Sequence, residues 1–234
     1  MSETEFVEEL GKIGIFVKKE QMEKLDQFYE LLISWNEKIN LTAITEKKQV
    51  YLKHFYDSAT LFHMTNLNED LTLCDIGSGA GFPGIVLKIL FPKLKITLVD
   101  SLNKRINFLQ TVIENLRLEG INAVCTRGEE YAKENRESFD IVTARAVAHL
   151  PILIEICTPL VKKGGQFIAM KGNNEEEIKE STNAIKELKL KEYKKVEINL
   201  PLEAGKRMII SYKKQEKTDT KYPRKYAEIK KKPL

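Results

Sequence analysis

The sequence predicts an α/β protein with a doubly wound, mostly parallel sheet. A short apolar strand at 71–76 runs into a glycine-rich turn, and strand-like and helix-like segments alternate after it. Two further strand-like segments, at 196–200 and 207–212, flank a short turn that contains Ala204-Gly205. Alternation of strands and helices is typical of a parallel sheet, and a closing hairpin adds an antiparallel edge. We therefore expect seven strands, preceded by an N-terminal helical region.

Composition sets the outer bounds of this prediction. The chain has 234 residues, of which 42% are hydrophobic, so one main domain with additions is expected. The sequence has no run of eighteen apolar residues and no charged-then-apolar leader. We therefore expect a cytoplasmic protein with no membrane partner.

The three cysteines, Cys74, Cys125 and Cys157, are far apart, and each lies in an apolar segment. An odd number of such cysteines is typical of buried thiols in a reducing compartment. The three histidines show no ligand-like spacing with them, so we expect no metal site.

The N-terminal region is predicted to be helical. Apolar residues recur every three or four positions from Met22 to Trp35, which predicts a long amphipathic helix that ends near Asn40. Trp35 is expected in the core, because a lone aromatic on an apolar face is more often core than a base-stacking platform. A second helical region, from about 46 to 64, contains His54, Asp57 and Ser58. These residues either line a pocket or have local roles, with Asp57 as a helix cap and His54 at the surface, and the sequence alone favours the local roles.

The glycine-rich turn consists of Gly77-Ser78-Gly79-Ala80-Gly81-Phe82-Pro83-Gly84. Its glycines allow a ligand to approach the backbone and supply the positive φ angles of a tight strand-to-helix turn. Pro83 fits the first turn of the helix that follows. From Gly79 the residues match G-x-G-x-x-G, a pattern whose helix normally faces a pyrophosphate.

Asp75 argues against a pyrophosphate. It ends the first strand two residues before the first glycine, where its carboxylate is expected to face the same crevice. A carboxylate there repels a pyrophosphate and attracts the ammonium and sulfonium charges of S-adenosylmethionine. We therefore favour the methyl donor as the ligand of this turn.

Later strands place polar residues at their carboxyl ends, where open α/β sheets bind ligands. The strand 95–100 ends in Asp100, about twenty residues after the turn, the distance at which a carboxylate binds ribose hydroxyls. Glu129, after the third strand, or the backbone beside it is expected to meet an adenine amino group. Arg145 follows the fourth strand, either as a ligand residue or as a solvated charge. A helix from about 150 to 161 is expected to end at Lys163-Gly164-Gly165.

Positive charge is concentrated at the carboxyl end. Residues 213–234 carry nine Lys or Arg and three acids, a net charge of +6, whereas residues 1–212 carry −2. With Tyr222 and Tyr226 among them, these cations either contact RNA phosphates and bases or form a solvated end, and the sequence alone favours neither.

Several motifs occur together along nearly the whole chain. They are Asn40-Leu41-Thr42, His54-x-x-Asp57-Ser58, the segment from Asp75 to Gly84, Val99-Asp100-Ser101, Lys104-Arg105, Ala144-Arg145-Ala146 and Lys171-Gly172. This combination resembles the RsmG family, also called GidB, of bacterial 16S rRNA methyltransferases. The resemblance implies a Rossmann-like class I S-adenosylmethionine-dependent methyltransferase that forms N7-methylguanosine in 16S rRNA.

The resemblance also implies roles for individual residues. Together with the glycine turn, it gives the expected cofactor contacts as Asp75, Gly77, Gly79, Phe82, Asp100, Gly128, Glu129 and Arg145. The expected RNA contacts are Arg127 and Arg207, to which the basic tail adds Lys221, Arg224 and Lys225. No general base is expected, and Arg145 is expected to position the substrate.

The implied organisation is an N-terminal helical region at 1–66, a methyltransferase core at 67–213 and a basic tail at 214–234. The chain is expected to act as a monomer on 16S rRNA or the small ribosomal subunit. Two other functions are alternatives. An NAD-type oxidoreductase would bind NAD(P)H and not S-adenosylmethionine, whereas a non-catalytic ribosome-assembly factor would bind RNA without transferring a methyl group.

Overall fold

A computed structural model describes residues 1–145, 147–172 and 175–234, so Ala146 of the motif at 144–146 lies outside the described residues. The described strands are β1 Thr72–Ile76, β2 Lys95–Asp100, β3 Ile121–Cys125, β4 Phe139–Arg145, β5 Val161–Lys171, β6 Leu190–Asn199 and β7 Lys206–Lys214. They form one sheet in the order β3-β2-β1-β4-β5-β7-β6. Strands β1 to β5 pair in parallel, and β7 pairs antiparallel with β5 and β6. The predicted parallel sheet with an antiparallel terminal hairpin is confirmed.

The chain opens with the helices α1 Glu3–Lys12 and α2 Lys19–Ile39. A segmented helix follows, made of α3 Lys47–Val50, a π-helical turn Tyr51–Tyr56, α4 Asp57–Ala59 and a 3₁₀ turn Thr60–His63. Helix α2 ends at Ile39 and is capped by Asn40, whose φ of 48° lies in the left-handed region that Asn tolerates. The predicted helix end and the second helical region agree with this structure.

Helices cover both faces of the sheet. They are α5 Gly84–Leu90, α6 Asn103–Asn115, α7 Gly128–Glu134, α8 Leu150–Cys157, α9 Glu175–Glu180, α10 Thr182–Glu187 and α11 Tyr226–Lys231. One apolar core joins a sheet face to the N-terminal helices, α5 and α6. The other core joins the opposite face to α7, α8, α10 and α11. Successive strand residues alternate between the two cores, for example Leu73 and Cys74.

Aromatic packing fixes the N-terminal helices to the sheet layer. The Phe28 ring on α2 lies 5.5 Å from the rings of both Phe55 and Phe82. Trp35 lies 5.7 Å from Phe108 and packs against the same core, as predicted. Truncation of a buried Phe typically costs about 3–5 kcal/mol, so this packing holds the segmented helix firmly beside the glycine turn.

The structure corrects the predicted end of the helix that follows β4. Helix α8 ends at Cys157, and a 3₁₀ turn Thr158–Leu160 leads directly into β5. Lys163-Gly164-Gly165 therefore lies inside a strand. Gly164 has a φ of 82°, and the pairing register of β4 with β5 shifts just before Gln166. The two glycines mark an irregularity within a strand. In sequence, glycines at such an irregularity look the same as glycines that end a helix.

The basic tail packs against the protein, so it is not a loose end, although seven of the nine cations at 213–234 are exposed to solvent. Lys214 is buried, and its Nζ donates to the carbonyl oxygens of Thr158 and Val161 at 3.0 and 2.8 Å. Tyr222 and Ile229 are buried in the core that contains α8. The tail is therefore part of the folded unit.

Cys74 and Cys157 are buried, and burial raises the pKa of both thiols. Cys125 is exposed, contrary to prediction, because it ends β3 at the edge of the sheet. Among the described residues, no group of three or more His, Cys, Asp or Glu could hold a metal ion. None of the described helices is both long and apolar enough to cross a membrane.

Candidate active site

A cavity of about 770 Å³ opens at the carboxyl ends of β1, β2 and β4. The strand order reverses at β1, between β2 and β4, and open α/β sheets bind ligands at such a switch point. The volume lies within the range of about 300–1,000 Å³ that is typical of small-molecule sites. Residues that follow β2 and β3 line one end of the cavity, here called the β3 end. Residues from the segmented helix, β5 and β7 line the other, the β7 end.

The glycine turn lies between these two ends. Gly77 has a φ of 72°, and a Cβ there would lie 2.5 Å from the Val147 side chain. Its N–H donates to the Val99 carbonyl at 2.8 Å, which ties the turn to β2. Gly79 has a φ of 56°, which also favours glycine. Both glycines line the cavity.

Asp75 lies beneath the turn and does not line the cavity, so the prediction that it faces the crevice is wrong. It is fully buried, and its Oδ2 accepts a hydrogen bond from the Gly84 N–H at 2.9 Å. Its Oδ1 has no partner among the described residues. Burial raises the pKa of this carboxyl to about 7. The direct role of Asp75 is to hold the start of α5.

Asp100 lines the cavity beside the turn, with a side chain only 3% exposed. Its Oδ1 accepts from the Leu102 N–H at 2.9 Å, and its Oδ2 accepts from the Gly79 N–H at 3.0 Å and from Arg105 Nη1 at 3.2 Å. A carboxylate has about four acceptor positions, so one remains for a ligand. The predicted pair of ribose hydrogen bonds therefore requires Arg105, whose side chain is 36% exposed, to move away.

Gly128 and Glu129 begin α7 at the β3 end. A Cβ on Gly128 would lie 3.0 Å from two isoleucine side chains, so glycine allows close packing there. Glu129 is buried, and its Oε1 accepts from Arg127 Nε at 2.9 Å. The Arg127 guanidinium also lies 5.2 Å from the ring centre of Tyr226 on α11. The carboxyl-terminal helix thus reaches the rim of the cavity.

Asp57 connects two arginines at the β7 end. Its Oδ2 lies 2.9 Å from Arg145 Nη1, and its Oδ1 lies 3.0 Å from Arg207 Nε. The three side chains together carry a net charge of +1. Burial lowers the pKa of the Arg145 guanidinium, and the Asp57 charge acts against that shift. Arg145 remains protonated at neutral pH and is a buried cation in the cavity wall.

His54 lies beside this group. Its ring stacks on Phe82 with ring centres 4.4 Å apart, and its two nitrogens contact Thr42 and Arg145. Burial, with the nearby Arg145 charge, lowers the pKa of His54 to about 3, so the ring is neutral at physiological pH. The local roles that the sequence favours for His54 and Asp57 are therefore wrong, because both residues line the cavity.

Comparisons with known proteins agree with this geometry. The GidB family model, described as rRNA small subunit methyltransferase G, matches residues 21–210. The chain belongs to this family. It is 49% identical to the ribosomal RNA small subunit methyltransferase G of Staphylococcus saprophyticus, over all of this chain and 99% of that protein. It is 47% identical to the protein of the same name from Bacillus velezensis, also over all of this chain and 99% of that protein.

Solved structures share the fold. A precorrin-6y C5,15-methyltransferase from Geobacter metallireducens covers 68% of this chain and 87% of its own, with a TM-score of 0.54 and 14% identity. A SAM-dependent methyltransferase from Aquifex aeolicus covers 77% and 97%, with a TM-score of 0.53 and 17% identity. The GidB chain has the Rossmann-like fold of these methyltransferases, and S-adenosylmethionine is its methyl donor.

The site of this GidB chain fits that donor. Asp100 keeps one acceptor position for a hydroxyl, and the β3 end is lined by the apolar side chains of Ile76, Val99 and Ile156. The second oxygen of Asp75 is buried without a hydrogen bond among the described residues, and a bound cation would favour the ionised form of this carboxyl behind the glycine turn. A nucleoside that carries a positive charge matches these features.

The predicted RNA contacts fall into two groups. Arg127 and Arg207 line the cavity, whereas Lys221, Arg224 and Lys225 lie outside it. Arg224 donates from Nε and Nη2 to the fully buried Glu155, at 2.8 and 2.6 Å, which corrects its assignment as an RNA contact. Lys221 lies 3.1 Å from Glu187 at the surface. Lys225 is exposed at the start of α11.

Sequence patterns did not place three residues in the cavity wall: Thr42, Arg105 and Tyr226. Thr42 lies in a polar break that follows α2, and that break was the one sequence feature that could have indicated a site residue there. Arg105 lies one turn into α6, and a basic residue there is ordinary in sequence. Tyr226 reaches the cavity only because the tail folds back, which no local pattern indicates.

Proposed function

We propose that this GidB chain transfers a methyl group from S-adenosylmethionine to N7 of a guanine in the 16S rRNA of the small ribosomal subunit. The observation that carries the proposal is the division of charge in one cavity. Asp100 and Glu129 lie at its β3 end, and Arg145 and Arg207 lie at its β7 end. Carboxylates suit ribose hydroxyls and amino groups, whereas arginines suit an RNA strand. The names of the relatives support the same substrate.

At the β3 end, each predicted cofactor residue has a distinct task. Asp100 accepts a ribose hydroxyl, and Gly128 with Glu129 meets the base. Gly77 and Gly79 let the ligand approach the turn, and Phe82 closes the wall between the two ends. Asp75 acts at a distance through its charge. When bound, S-adenosylmethionine supplies a methyl group activated by its sulfonium leaving group.

At the β7 end, the protein has to position the acceptor rather than deprotonate it. N7 of guanine has a free lone pair and carries no proton at neutral pH. Alignment of two reactants can contribute about 7–11 kcal/mol. Positive charge develops on the guanine ring during attack, so Arg145 is placed to bind O6 or a phosphate rather than N7. We assign no general base among the described residues of this cavity.

RNA contacts extend beyond the cavity. Arg207 at the β7 end and Arg127 at the β3 end bind phosphates beside the target nucleotide, and exposed Lys221 and Lys225 add weaker contacts outside the cavity. Arg127 is well placed for this, because its side chain is 60% exposed. We propose that the chain acts as a monomer on 16S rRNA or the small ribosomal subunit.

Methyl transfer to small ribosomal subunits from a deletion strain tests the proposal. Subunits from that strain and from its parent are incubated with purified protein and radiolabelled S-adenosylmethionine, and the rRNA nucleosides are then separated by mass spectrometry. We expect one N7-methylguanosine per particle from the deletion strain and none added to the parent's particles. RNA binding without methyl transfer, or a different methylated atom, would overturn the proposal.

A further inference from the structure

The hydroxyl of Thr42 is held in a defined orientation at the β7 end of the cavity. Helix α2 is capped by Asn40, and the chain then turns so that the Thr42 N–H donates to Asn36 Oδ1 at 2.8 Å. This contact fixes the Thr42 backbone against the last turn of α2. The half-buried side chain forms part of the cavity wall.

The direction of each hydrogen bond around His54 follows from the chemistry of its partners. Arg145 Nη2 lies 3.4 Å from His54 Nδ1, and a guanidinium can only donate. Nδ1 of the neutral ring is therefore the acceptor nitrogen, and the ring proton is on Nε2. Nε2 lies 2.8 Å from Thr42 Oγ1, so the imidazole donates to the hydroxyl oxygen.

The Thr42 oxygen receives a second donor. The N–H of Ile44 lies 3.0 Å from Thr42 Oγ1. A hydroxyl oxygen has two lone pairs, and the two donors occupy both of them. The hydroxyl hydrogen has to point elsewhere, and no acceptor for it is found within the described parts of the chain. Because Thr42 lines the cavity, this hydrogen is available to a ligand that carries an acceptor.

We propose that the Thr42 hydroxyl donates a hydrogen bond to O6 of the target guanine and so selects guanine over adenine. The proposal rests on the function proposed above. Beside N7, guanine presents the acceptor O6, whereas adenine presents an amino donor. Both lone pairs of the Thr42 hydroxyl oxygen already accept hydrogen bonds, so the hydroxyl cannot accept one from the adenine amino group. Thr42 is thus a specificity residue. With O6 bound by Thr42, Arg145 is left to hold a phosphate, and it also positions Thr42 through His54.

A double-mutant cycle tests this contact by combining a substitution of Thr42 with removal of O6 from the target base. Small subunits are reconstituted with either guanine or 2-aminopurine, which is guanine without O6, at the methylated position. Wild type, Thr42→Val and Thr42→Ser are compared by kcat/KM for methyl transfer. Thr45→Val is the matched control, since Thr45 is exposed on the same segment and its side chain has no hydrogen bond among the described residues.

On guanine we expect Thr42→Val to lower kcat/KM about tenfold, and Thr42→Ser and Thr45→Val to stay near wild type. On 2-aminopurine, wild type should already be slow, and Thr42→Val should cause no further loss. An equal loss of kcat/KM on both bases would show that Thr42→Val only disturbs the loop. No loss of kcat/KM on guanine would show that the contact is not made. Either result would overturn the inference. If wild type fails to methylate the guanine particles, the proposed function fails instead.

Discussion

Asp57 Oδ2 lies 2.9 Å from Arg145 Nη1, and this contact joins the segmented N-terminal helix to the carboxyl end of β4. The other oxygen of the same carboxylate lies 3.0 Å from Arg207 Nε on β7. One buried side chain therefore connects three elements around the cavity. The N-terminal helices are part of the active site, because without Asp57 two arginines would face each other there unneutralised.

Replacement of Asp57 should destabilise the protein strongly. Asp57→Ala leaves Arg145, whose side chain is 14% exposed, without its carboxylate. Loss of one partner from a buried ion pair typically costs about 3–5 kcal/mol. Asp70→Ala is the control, because Asp70 pairs with Lys95 where both side chains are about two-thirds exposed, and such pairs contribute about 0–1 kcal/mol. Urea unfolding measures both, and equal losses would contradict a structural role for Asp57.

The carboxyl-terminal tail offers a second contrast between neighbouring cations. Arg224→Ala leaves the fully buried Glu155 without its cation and with only the backbone N–H of residue 224 as a donor, so it should lower the free energy of unfolding by about 3–5 kcal/mol. Lys225→Ala removes an exposed charge and should change stability by less than about 0.5 kcal/mol. Denaturant unfolding of the two variants checks this.

The same pair separates folding from RNA binding. If Lys225 contacts a phosphate, Lys225→Ala should weaken binding to many RNAs alike and reduce the slope of log affinity against log salt by about 1. An unchanged slope for this folded variant would remove Lys225 from the RNA contacts. Deletion of the whole tail cannot answer the question, because Tyr222 and Ile229 belong to the core.

Local patterns predicted the elements of the sheet and the positions at their ends. The strand before Asp100 is apolar, and its distance from the glycine turn placed the carboxylate correctly at the cavity. What such patterns cannot give is which way a side chain points. Asp75 lies near the carboxyl end of β1 as predicted, yet its Oδ2 turns toward the Gly84 N–H below the turn. Whether it faces the cavity or the helix depends on the packing of α5, which no spacing of residues describes.

Contacts between distant residues were also beyond local patterns. Asp57 and Arg207 are 150 positions apart, and each is an ordinary surface residue when seen with its sequence neighbours. Arg224 lies in a run of like charges, which is typical of a solvated end. One signal was present in its partner, because Glu155 is the only acid in the apolar helix Leu150–Cys157, and a lone acid in such a helix needs a cation.

Donor binding should depend on Asp100 and be insensitive to Arg105. Asp100→Asn removes the charge that we propose accepts a ribose hydroxyl, and a hydrogen bond to a charged group contributes about 1.5–3 kcal/mol. Arg105→Ala frees the acceptor position now used by Nη1, so binding should stay equal or tighten. Calorimetry with S-adenosylmethionine and its demethylated product measures both. Equal affinity of Asp100→Asn and wild type would remove Asp100 from the donor site.

His54 should make the protein less stable in mild acid. Its pKa is about 3 in the folded state and near 6.5 when unfolded, so between these values the unfolded chain binds more protons. The free energy of unfolding should therefore fall as pH drops below about 6.5, by up to about 1.4 kcal/mol per pH unit from this residue. His54→Gln should lack that part of the slope. Urea unfolding of wild type and His54→Gln from about pH 7.5 to 4.5 compares these slopes, and identical slopes would contradict a half-buried imidazole that stays neutral.

The rate of methyl transfer should not depend on pH near neutrality. Both nitrogens of His54 already have partners, and its pKa of about 3 leaves no proton to exchange in that range. Both oxygens of Asp57 face arginines. Asp75, with a pKa of about 7, lies outside the cavity wall and does not reach a substrate proton, and saturating cationic donor favours its ionised form throughout this range. A required general base contributes about 10²–10⁴-fold to the rate and makes the rate climb with pH until that base is deprotonated.

We expect instead a flat single-turnover rate on saturating small subunits from about pH 6 to 9. The substitutions His54→Ala and Asp57→Ala should slow the reaction without making it depend on pH. If the rate rose tenfold per pH unit around neutrality and one of these substitutions abolished that rise, the methylated atom would have to be a protonated nitrogen rather than N7.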